Sequence, residues 1–377
     1  WHLGMDMPTR AGGIIQEGHA AVDQRAYLGD IDWNGRIENG PLALGFDHFY
    51  GISASLDMHP YIYIEDDRFV GECTTEQDLL FITRDYRPER YGDNSGPAHA
   101  DFVAEEVLPV ITRNTVDYID EQSHDSPFFA CMSLTAPHIP IVPSSAYQGI
   151  SDLGPYGDFC IEVDDSIGKV LDALDRNGFA ENTLVIFTAD NGCAPYIGVE
   201  DMNAQGHYPS FIYRGYKSDI YEGGHRIPFL ARWPSTISAG NDSTETICLT
   251  DLLATLGAIL EVEIPADAGE DSYNILPALL GQSLDTPIRE ATISTAGSGA
   301  FSIRQGRWKL EMTPSSGGYG NLSAAEAEQQ NLPPIQLYDL QNDIGETTNV
   351  YADHPEIIAG LNALLERYQS TGRSTPG

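Results

Sequence analysis

Apolar residues recur along the chain in spacings that predict several helices. In four segments they fall three or four positions apart or form a continuous apolar face, which is typical of a helix packed on a core. These segments are residues 100–120, 156–178, 250–260 and 355–368. Gly178, at the end of the second segment, is a suitable residue to cap a helix C-terminus.

Two uninterrupted apolar runs predict strands that are buried on both faces. The runs cover residues 127–134 and 184–187, and the helix at 156–178 lies between them. A strand, a crossover helix and a second strand form a βαβ unit, in which the two strands are parallel. We therefore expect an α/β fold with a mixed, mostly parallel sheet sandwiched by helices.

The C-terminal part has a different pattern. Short strand-like runs at 300–304, 308–312 and 336–340 are separated by turn residues and precede the last helix. This pattern favours a smaller antiparallel sheet with one helix. With the linker-like run at 264–282, it predicts an α/β domain over 1–285 and an α+β subdomain over 286–377. Residues 317–320 and 324–330 are interpreted as a mobile insertion.

The charge balance limits the partners that the chain can bind. Fifty-six acidic residues face 20 basic ones, so the formal net charge is −36. This charge argues against nucleic acid or an anionic membrane surface as a partner, and an anionic substrate needs cations placed locally in its pocket. No apolar run reaches the ~20 residues of a transmembrane segment. The five scattered cysteines indicate neither a zinc site nor a disulfide framework.

Polar residues directly follow the run at 184–187. Asp190 and Asn191 stand side by side before Gly192. Ligands of open α/β sheets bind beyond the carboxyl ends of the strands, and oxygen donors at such a place suit a hard cation. A plain Asp-Asn-Gly turn that closes a strand is the alternative interpretation.

Three further residues are candidates for chemistry. His138 follows Pro137 after the apolar run at 127–134, Lys217 lies in a glycine-rich loop over 214–228, and His2 lies close to Gly4. Each is also explained without a function, since a single histidine after a strand is often structural and a loop lysine is often solvated.

Together these segments resemble the formylglycine-dependent type I sulfatases of the alkaline phosphatase superfamily. The resemblance rests on four motifs in order: Trp1-His2-Leu3-Gly4, Ala136-Pro137-His138, Asp190-Asn191-Gly192, and Gly215-x-Lys217 followed by Tyr221-Glu222-Gly223-Gly224-x-Arg226-x-Pro228. The segments around Trp308-Lys309-Leu310 and Leu337-Tyr338-Asp339-Leu340 resemble the smaller antiparallel domain of the same family.

The resemblance implies a role for each candidate residue. Asp190 and Asn191 would bind one Ca²⁺, and Lys217 would hold a sulfate oxygen and the leaving oxygen. His138 would protonate the departing alcohol as general acid, and His2 would hydrogen-bond the nucleophile. The nucleophile of the family is a formylglycine made from a cysteine or serine.

One expected motif departs from the family pattern. No cysteine of the chain is followed by x-Pro-x-Arg, and Asp6-Met7-Pro8-Thr9-Arg10 has an aspartate where the nucleophile belongs. Calcium takes 6–8 ligands, more than Asp190 and Asn191 provide. We therefore expect the nucleophile and the remaining ligands to lie upstream of Trp1, and this chain alone to be inactive.

The function expected from the resemblance is the hydrolysis of sulfate esters, on a sulfated saccharide or an aryl sulfate, in the periplasm or outside the cell. His48, His59, His207 and His225 are candidates for a sugar subsite, although ordinary loop roles also explain them. A phosphodiesterase or phosphonate hydrolase of the same superfamily is one alternative. A non-catalytic, carbohydrate-binding relative that lacks the nucleophile is the other.

Overall fold

The structure, a computed structural model, describes residues 4–16, 29–79, 95–319, 322 and 324–375. Contacts divide the chain into two units. The first comprises the described residues up to Phe179 together with Tyr196–Gly198, and the second comprises Ala180–Pro195 and the residues from Val199 onward. The expected domain boundary at 285/286 falls within the second unit and stays a prediction.

The first unit contains two long helices and several short strands. Helix α1 (Val107–Asp120) packs against α2 (Gly154–Arg176). The strands are β1 (Asp6–Pro8), β2 (Ile14–Gln16), β3 (Tyr50–Gly51), β4 (Ile64–Glu65), β5 (Arg68–Phe69), β6 (Thr75–Gln77) and β7 (Gly96–Ala98). They form the antiparallel groups β1-β2, β3-β4-β5 and β6-β7. One core of this unit gathers Met5, Met7, Ile31, Trp33, Ile37, Ile62, Ile64 and Phe69.

Both helices predicted in this unit are confirmed. A 3-10 turn, Ala104–Glu106, precedes α1, and α1 turns Leu108 and Ile111 into the interior. Helix α2 has Pro155 in its first turn, where a missing amide proton is no loss. It ends just before Gly178, whose φ of +74° is a left-handed conformation that glycine adopts without strain.

The second unit contains a two-stranded ladder and a four-stranded sheet. Strand β8 (Val185–Thr188) pairs antiparallel with β9 (Phe229–Arg232). Strands β10 (Thr292–Thr295), β11 (Phe301–Gln305), β12 (Trp308–Glu311) and β13 (Gln336–Asp339) form an antiparallel sheet in chain order. Its helices are α3 (Val199–Ala204), α4 (Glu222–His225), α5 (Leu252–Ile259), α6 (Leu276–Leu279), α7 (Ala324–Gln329) and α8 (Pro355–Thr371).

The C-terminal sheet with its helix is confirmed. Helix α8 lies against β11 and β12. Its Leu361, Leu364 and Leu365 pack on the strand residues Ile303 and Leu310 in one buried cluster. The periodicity of the sequence was sufficient here because each strand presents alternate side chains to a single helix.

The strand predicted at 127–134 is wrong. This segment has no strand pairing, and Phe129 is 63% exposed. Strand β8 is present but only half-buried, and its pairing with β9 is antiparallel. The expected βαβ unit is therefore not formed, and the ladders of the described residues are antiparallel. An apolar run predicts burial, but a strand also needs a partner whose amides and carbonyls pair with its own.

Two smaller features complete the description. Part of the segment interpreted as a mobile insertion forms α7, with Ala327 buried. Among the described residues, no helix has the length and apolar character that a membrane span requires.

Candidate active site

The turn after β8 lies against the glycine-rich loop that carries Lys217. The amide of Gly192 donates to the carbonyl of Gly224 at 2.9 Å. A Cβ atom on Gly192 would overlap the carbonyl oxygen of Gly223, so this close backbone approach requires glycine. Asp190 is exposed and Asn191 half-buried at this turn. The two motifs recognised separately in the sequence are therefore in backbone contact.

The backbone of Lys217 is hydrogen-bonded to the segment that follows the Asp190–Asn191 turn. Its amide donates to the carbonyl of Cys193 at 2.8 Å, two residues after Asn191. The side chain is half-buried. The next residue, Ser218, has a φ of +74°, which a residue other than glycine adopts rarely. Lys217 thus lies at a sharp bend beside the Asp190–Asn191 turn.

The C-terminal sheet contributes to holding this bend. The amide of Gly297, in the β10–β11 turn, donates to the carbonyl of Ser218 at 2.8 Å. The amide of Ile220 donates to the carbonyl of Ser316, after β12, also at 2.8 Å. The lysine loop therefore depends on residues about 80 to 100 positions later in the chain.

A buried ion cluster lies directly behind the loop. The ammonium of Lys309 on β12 is 2.7 Å from Glu346, 3.1 Å from Glu222 and 3.3 Å from Glu311. It also donates to the carbonyl of Ile220 at 2.8 Å. Burial by itself would lower the pKa of Lys309, but Glu222, Glu346 and Glu311 raise it above its ordinary value. Lys309 is therefore a fully charged cation in the interior.

Glu222 and Glu311 of the cluster have pKa values that are shifted in opposite directions. Burial opposes ionisation of Glu222, but the hydrogen bond from His225 and the charges of Lys309 and Arg304 lower its pKa well below the usual range. Burial raises the pKa of Glu311 well above its usual range, and Glu346 adds to this while Lys309 opposes it. Glu222 is therefore the ionised partner of Lys309, whereas burial and the nearby Glu346 favour the protonated form of Glu311, which limits the negative charge that Lys309 must balance.

His138 belongs to the first unit. Its Nδ1 is 2.9 Å from the carbonyl oxygen of Ile139 and 3.7 Å from the carboxylate of Asp57. A carbonyl can only accept, so Nδ1 carries the proton and Nε2 is the nitrogen that can exchange one with a substrate. Ser55 in turn donates to Asp57. These contacts fix the orientation of the imidazole ring.

The other candidate histidines lie in different surroundings. His48 contacts Asp66 at 2.8 Å, and His59 is buried against Tyr61. His225 is 3.4 Å from Glu222 in the ion cluster, where burial, which outweighs the opposing effect of Glu222, lowers its pKa. His207 is exposed. His2 lies outside the described residues.

The donor atoms at the end of β8 match only part of what a calcium ion requires. Asp190 and Asn191 offer adjacent oxygen donors at the end of β8, which suits a hard cation. No group of three or more His, Cys, Asp or Glu in the described part of the chain is arranged to hold a metal ion. The pair fits calcium chemically but provides only a part of the 6–8 ligands that the ion takes.

Comparison with known proteins identifies the family. The sulfatase family profile matches residues 22–262, more than half of the 377-residue chain. The chain belongs to the sulfatase family. It is 30% identical over 394 residues to the N-acetylgalactosamine-6-O-sulfatase of Bacteroides thetaiotaomicron, and the match covers 96% of this chain and 75% of that relative. The expected relationship to sulfuric ester hydrolases is thereby confirmed.

Three further comparisons show how far the similarity of this sulfatase extends. Human N-acetylgalactosamine-6-sulfatase is 28% identical over 87% of this chain, which spans 62% of the human protein. A sulfatase structure reported with the metabolism of glycosaminoglycans by Bacteroides thetaiotaomicron aligns with a TM-score of 0.75 and 29% identity, covering 91% of this chain and 76% of that one. A Pseudoalteromonas sulfatase with 21% identity and a TM-score of 0.65 shares the fold over 88% of this chain and 67% of that one. The α/β fold class is confirmed.

Sequence reasoning missed the residues that support the site. Asp57 beside His138, and Glu222, Lys309 and Glu346 behind the lysine loop, were not among its candidates. In the sequence, Glu222 and Lys309 stand only as members of motifs that carry the family resemblance, and Lys309 and Glu311 flank Leu310 in a strand-like run. Alternation within a strand would assign such residues to solvent.

Proposed function

We propose that the protein carrying this chain hydrolyses 6-O-sulfate esters of N-acetylgalactosamine in sulfated saccharides. The observation that carries the proposal is the backbone contact between the Asp190–Asn191 turn and the Lys217 loop in a member of the sulfatase family. The Bacteroides relative, whose name specifies N-acetylgalactosamine-6-O-sulfatase, supports the choice of sugar and position.

Lys217 and His138 act on different parts of the sulfate ester. The ammonium of Lys217 contacts a sulfate oxygen and the bridging oxygen, where negative charge grows as the S–O bond breaks. His138 gives the proton on Nε2 to the departing alcohol, so that a neutral hydroxyl leaves in place of an alkoxide. In the net reaction, water and the ester yield the alcohol, sulfate and one proton.

Two groups complete the site by this proposal. Asp190 and Asn191 contribute two of the ligands of a Ca²⁺ ion, which polarises the sulfate and the nucleophile when it is bound. By the family resemblance, a formylglycine would be the nucleophile, and His2 would hydrogen-bond it.

The proposed substrate also bears on the compartment. Sulfated polysaccharides are large and anionic, so they do not cross a membrane unaided. We place the protein in the periplasm or outside the cell, where such polymers are accessible.

Sulfate release from matched saccharides tests the proposed function. The full-length protein is incubated with disaccharides that carry N-acetylgalactosamine 6-sulfate or 4-sulfate, and sulfate is measured by ion chromatography. We expect release from the 6-sulfate. Release from the 4-sulfate alone would overturn the position, and release from neither would overturn the function.

The alternatives are separated in the same assay. Faster turnover of a phosphate diester or a phosphonate monoester than of the sulfate ester would favour the phosphodiesterase or phosphonate hydrolase. Saccharide binding without turnover of any ester would favour the non-catalytic relative.

A further inference from the structure

A short loop of the second unit exposes aromatic side chains next to the candidate site. It consists of residues 207–213 and is called the aromatic loop below. Tyr208 is 59% and Phe211 69% exposed. Both residues lie on one turn, since the amide of Phe211 donates to the carbonyl of Tyr208 at 2.8 Å. Exposed apolar surface that is grouped in this way is typical of binding sites.

The aromatic loop is tied to both site motifs. The hydroxyl of Ser210 donates to the carbonyl of Gly215 at 3.1 Å, two residues before Lys217. The sulfur of Cys193, two residues after Asn191, is 3.4 Å from the same hydroxyl. Ser210 therefore holds the loop beside the turn that carries Asp190 and Asn191 and beside the lysine loop.

Each end of the aromatic loop is anchored as well. The amide of His207 donates to the carbonyl of the buried Met202 at 2.9 Å. The guanidinium of Arg226 lies 4.6 Å from the ring centre of Tyr213, a cation–π contact. The ring of Tyr213 also meets that of Phe211 edge-on at 6.1 Å. The loop is thus fixed at both ends while its tip faces outward.

The conformation of Phe211 is unusual for its residue type. Its φ is +53°, in the left-handed region where bulky residues are rare. The ring is exposed, so its burial in the free protein does not offset this strain. The backbone thereby presents a large aromatic face to solvent where a glycine or asparagine would fit more easily.

We propose that Tyr208 and Phe211 form a platform on which a sugar ring of the sulfated substrate stacks. This inference rests on the proposed function. The face of an aromatic ring is electron-rich and attracts the slightly positive C–H groups of a pyranose. Binding sites combine such apolar surfaces with a few polar groups that fix orientation. Lys217 holds the sulfate, and the platform holds the sugar ring. Because the platform is uncharged, it adds no electrostatic repulsion between the sugar and the acidic protein.

Kinetics of two variants test the platform. Tyr208→Ala removes one ring, and Phe211→Gly removes the other while relieving the left-handed backbone, so neither should unfold the protein. For a disaccharide carrying N-acetylgalactosamine 6-sulfate, we expect KM to rise about 10-fold in each variant, by the scale of aromatic contacts. The value of kcat should not change, and neither should turnover of a small alkyl sulfate ester.

The matched control is Leu260→Ala. Leu260 is 67% exposed, as Phe211 is, but it caps α5, and its loss should leave KM unchanged. An unchanged KM in both platform variants would overturn the proposal. So would a change of oligomeric state in sedimentation with an unchanged KM, because the loop would then be a contact between copies of the chain.

Binding measurements separate this proposal from the proposed function. If the wild-type protein binds the disaccharide but releases no sulfate, the function fails. Calorimetry with the same disaccharide then decides the platform alone: a weaker Kd in Tyr208→Ala and Phe211→Gly supports it, and equal Kd values reject it.

Discussion

Lys217 shows how a flexible side chain can be placed without being buried. Its backbone is fixed by the Cys193 carbonyl, and the next residue is fixed by Gly297. Lysine has four rotatable side-chain bonds, so a rigid backbone on both sides removes only part of its freedom. By the proposed function, the remaining freedom allows the ammonium to follow charge from the sulfate to the leaving oxygen.

The positive charge of the Lys217 side chain should matter more for catalysis than its size. We expect Lys217→Ala to lower kcat for a 6-sulfated disaccharide by about 10²-fold or more, since a fixed cation at a developing negative charge has about this effect. The measurement is the initial rate of sulfate release by the full-length protein at saturating substrate.

A second substitution separates charge from geometry. Lys217→Arg keeps the charge but changes its shape, and it should retain more activity than Lys217→Ala. Activity of Lys217→Ala within a factor of three of wild type would remove the lysine from the catalytic site.

Glu311 should make stability depend on pH. Its pKa is raised by burial, so its contribution is fully present below the ordinary glutamate value and is lost as pH rises toward the raised value. Glu311→Gln binds no proton. The variant should therefore gain stability relative to wild type as pH increases above about 4.3, by up to about 1.4 kcal/mol per pH unit.

Denaturant unfolding of both proteins between pH 4 and pH 8 measures this gain. The control is Glu366→Gln, which removes an exposed glutamate of α8 and should leave the pH profile of wild type unchanged. Parallel profiles for wild type and Glu311→Gln would show that Glu311 is ionised in the folded protein.

At the scale of elements, the contact between the β8 turn and the lysine loop depends on the absence of side chains. Gly192, Gly223 and Gly224 each lie where a Cβ atom would overlap a backbone carbonyl. The glycines of the Tyr-Glu-Gly-Gly motif are thus required for close packing. This explains why the motif is rich in glycine, although neither of its glycines has a positive φ.

Adding one methyl group to Gly192 should push the β8 turn away from the lysine loop. We expect Gly192→Ala to destabilise the protein by roughly 2–3 kcal/mol, as overpacking does, and to lower kcat because Asp190 and Asn191 move away from Lys217. Chemical denaturation and the sulfate-release assay measure the two effects.

A glycine with open space provides the control. A Cβ on Gly360 in α8 meets nothing within 4 Å. Gly360→Ala should therefore stabilise the helix by about 0.5–1 kcal/mol and leave kcat unchanged. Wild-type stability and rate in Gly192→Ala would contradict the close packing of the turn.

At the scale of the whole molecule, the net charge of −36 opposes an anionic substrate. Electrostatic repulsion between the protein and a sulfated saccharide extends over about 30 Å at 0.01 M salt but only about 8 Å at 0.15 M. By the proposed function, Lys217 acts on the sulfate at close range, where screening by salt is weak.

Salt should therefore increase the efficiency of the enzyme. We expect kcat/KM for a polysulfated oligosaccharide to rise several-fold between 0.01 and 0.15 M NaCl, because screening removes the long-range repulsion. An uncharged viscosity-matched additive is the control, and it should not raise kcat/KM. A steady fall of kcat/KM with salt would mean that local cations dominate the encounter.

The local elements were determined by the sequence, since helix periodicity depends on residues three or four positions apart. This is why α2 and α8 were predicted close to their observed bounds and α1 to its observed end, and why the C-terminal strands were recognised. The site motifs were recognised for a similar reason, because Asp190, Asn191 and Lys217 each lie in a short, continuous pattern.

The tertiary structure decided strand pairing and burial, which depend on residues far apart in the chain. The apolar run at 127–134 forms no strand, because pairing needs a partner that the run itself does not specify. Lys309 is buried, although strand alternation would assign it to solvent, because Glu222 and Glu346 come together around it. Burial and pairing are properties of contacts between segments far apart in the chain, so a local pattern cannot contain them.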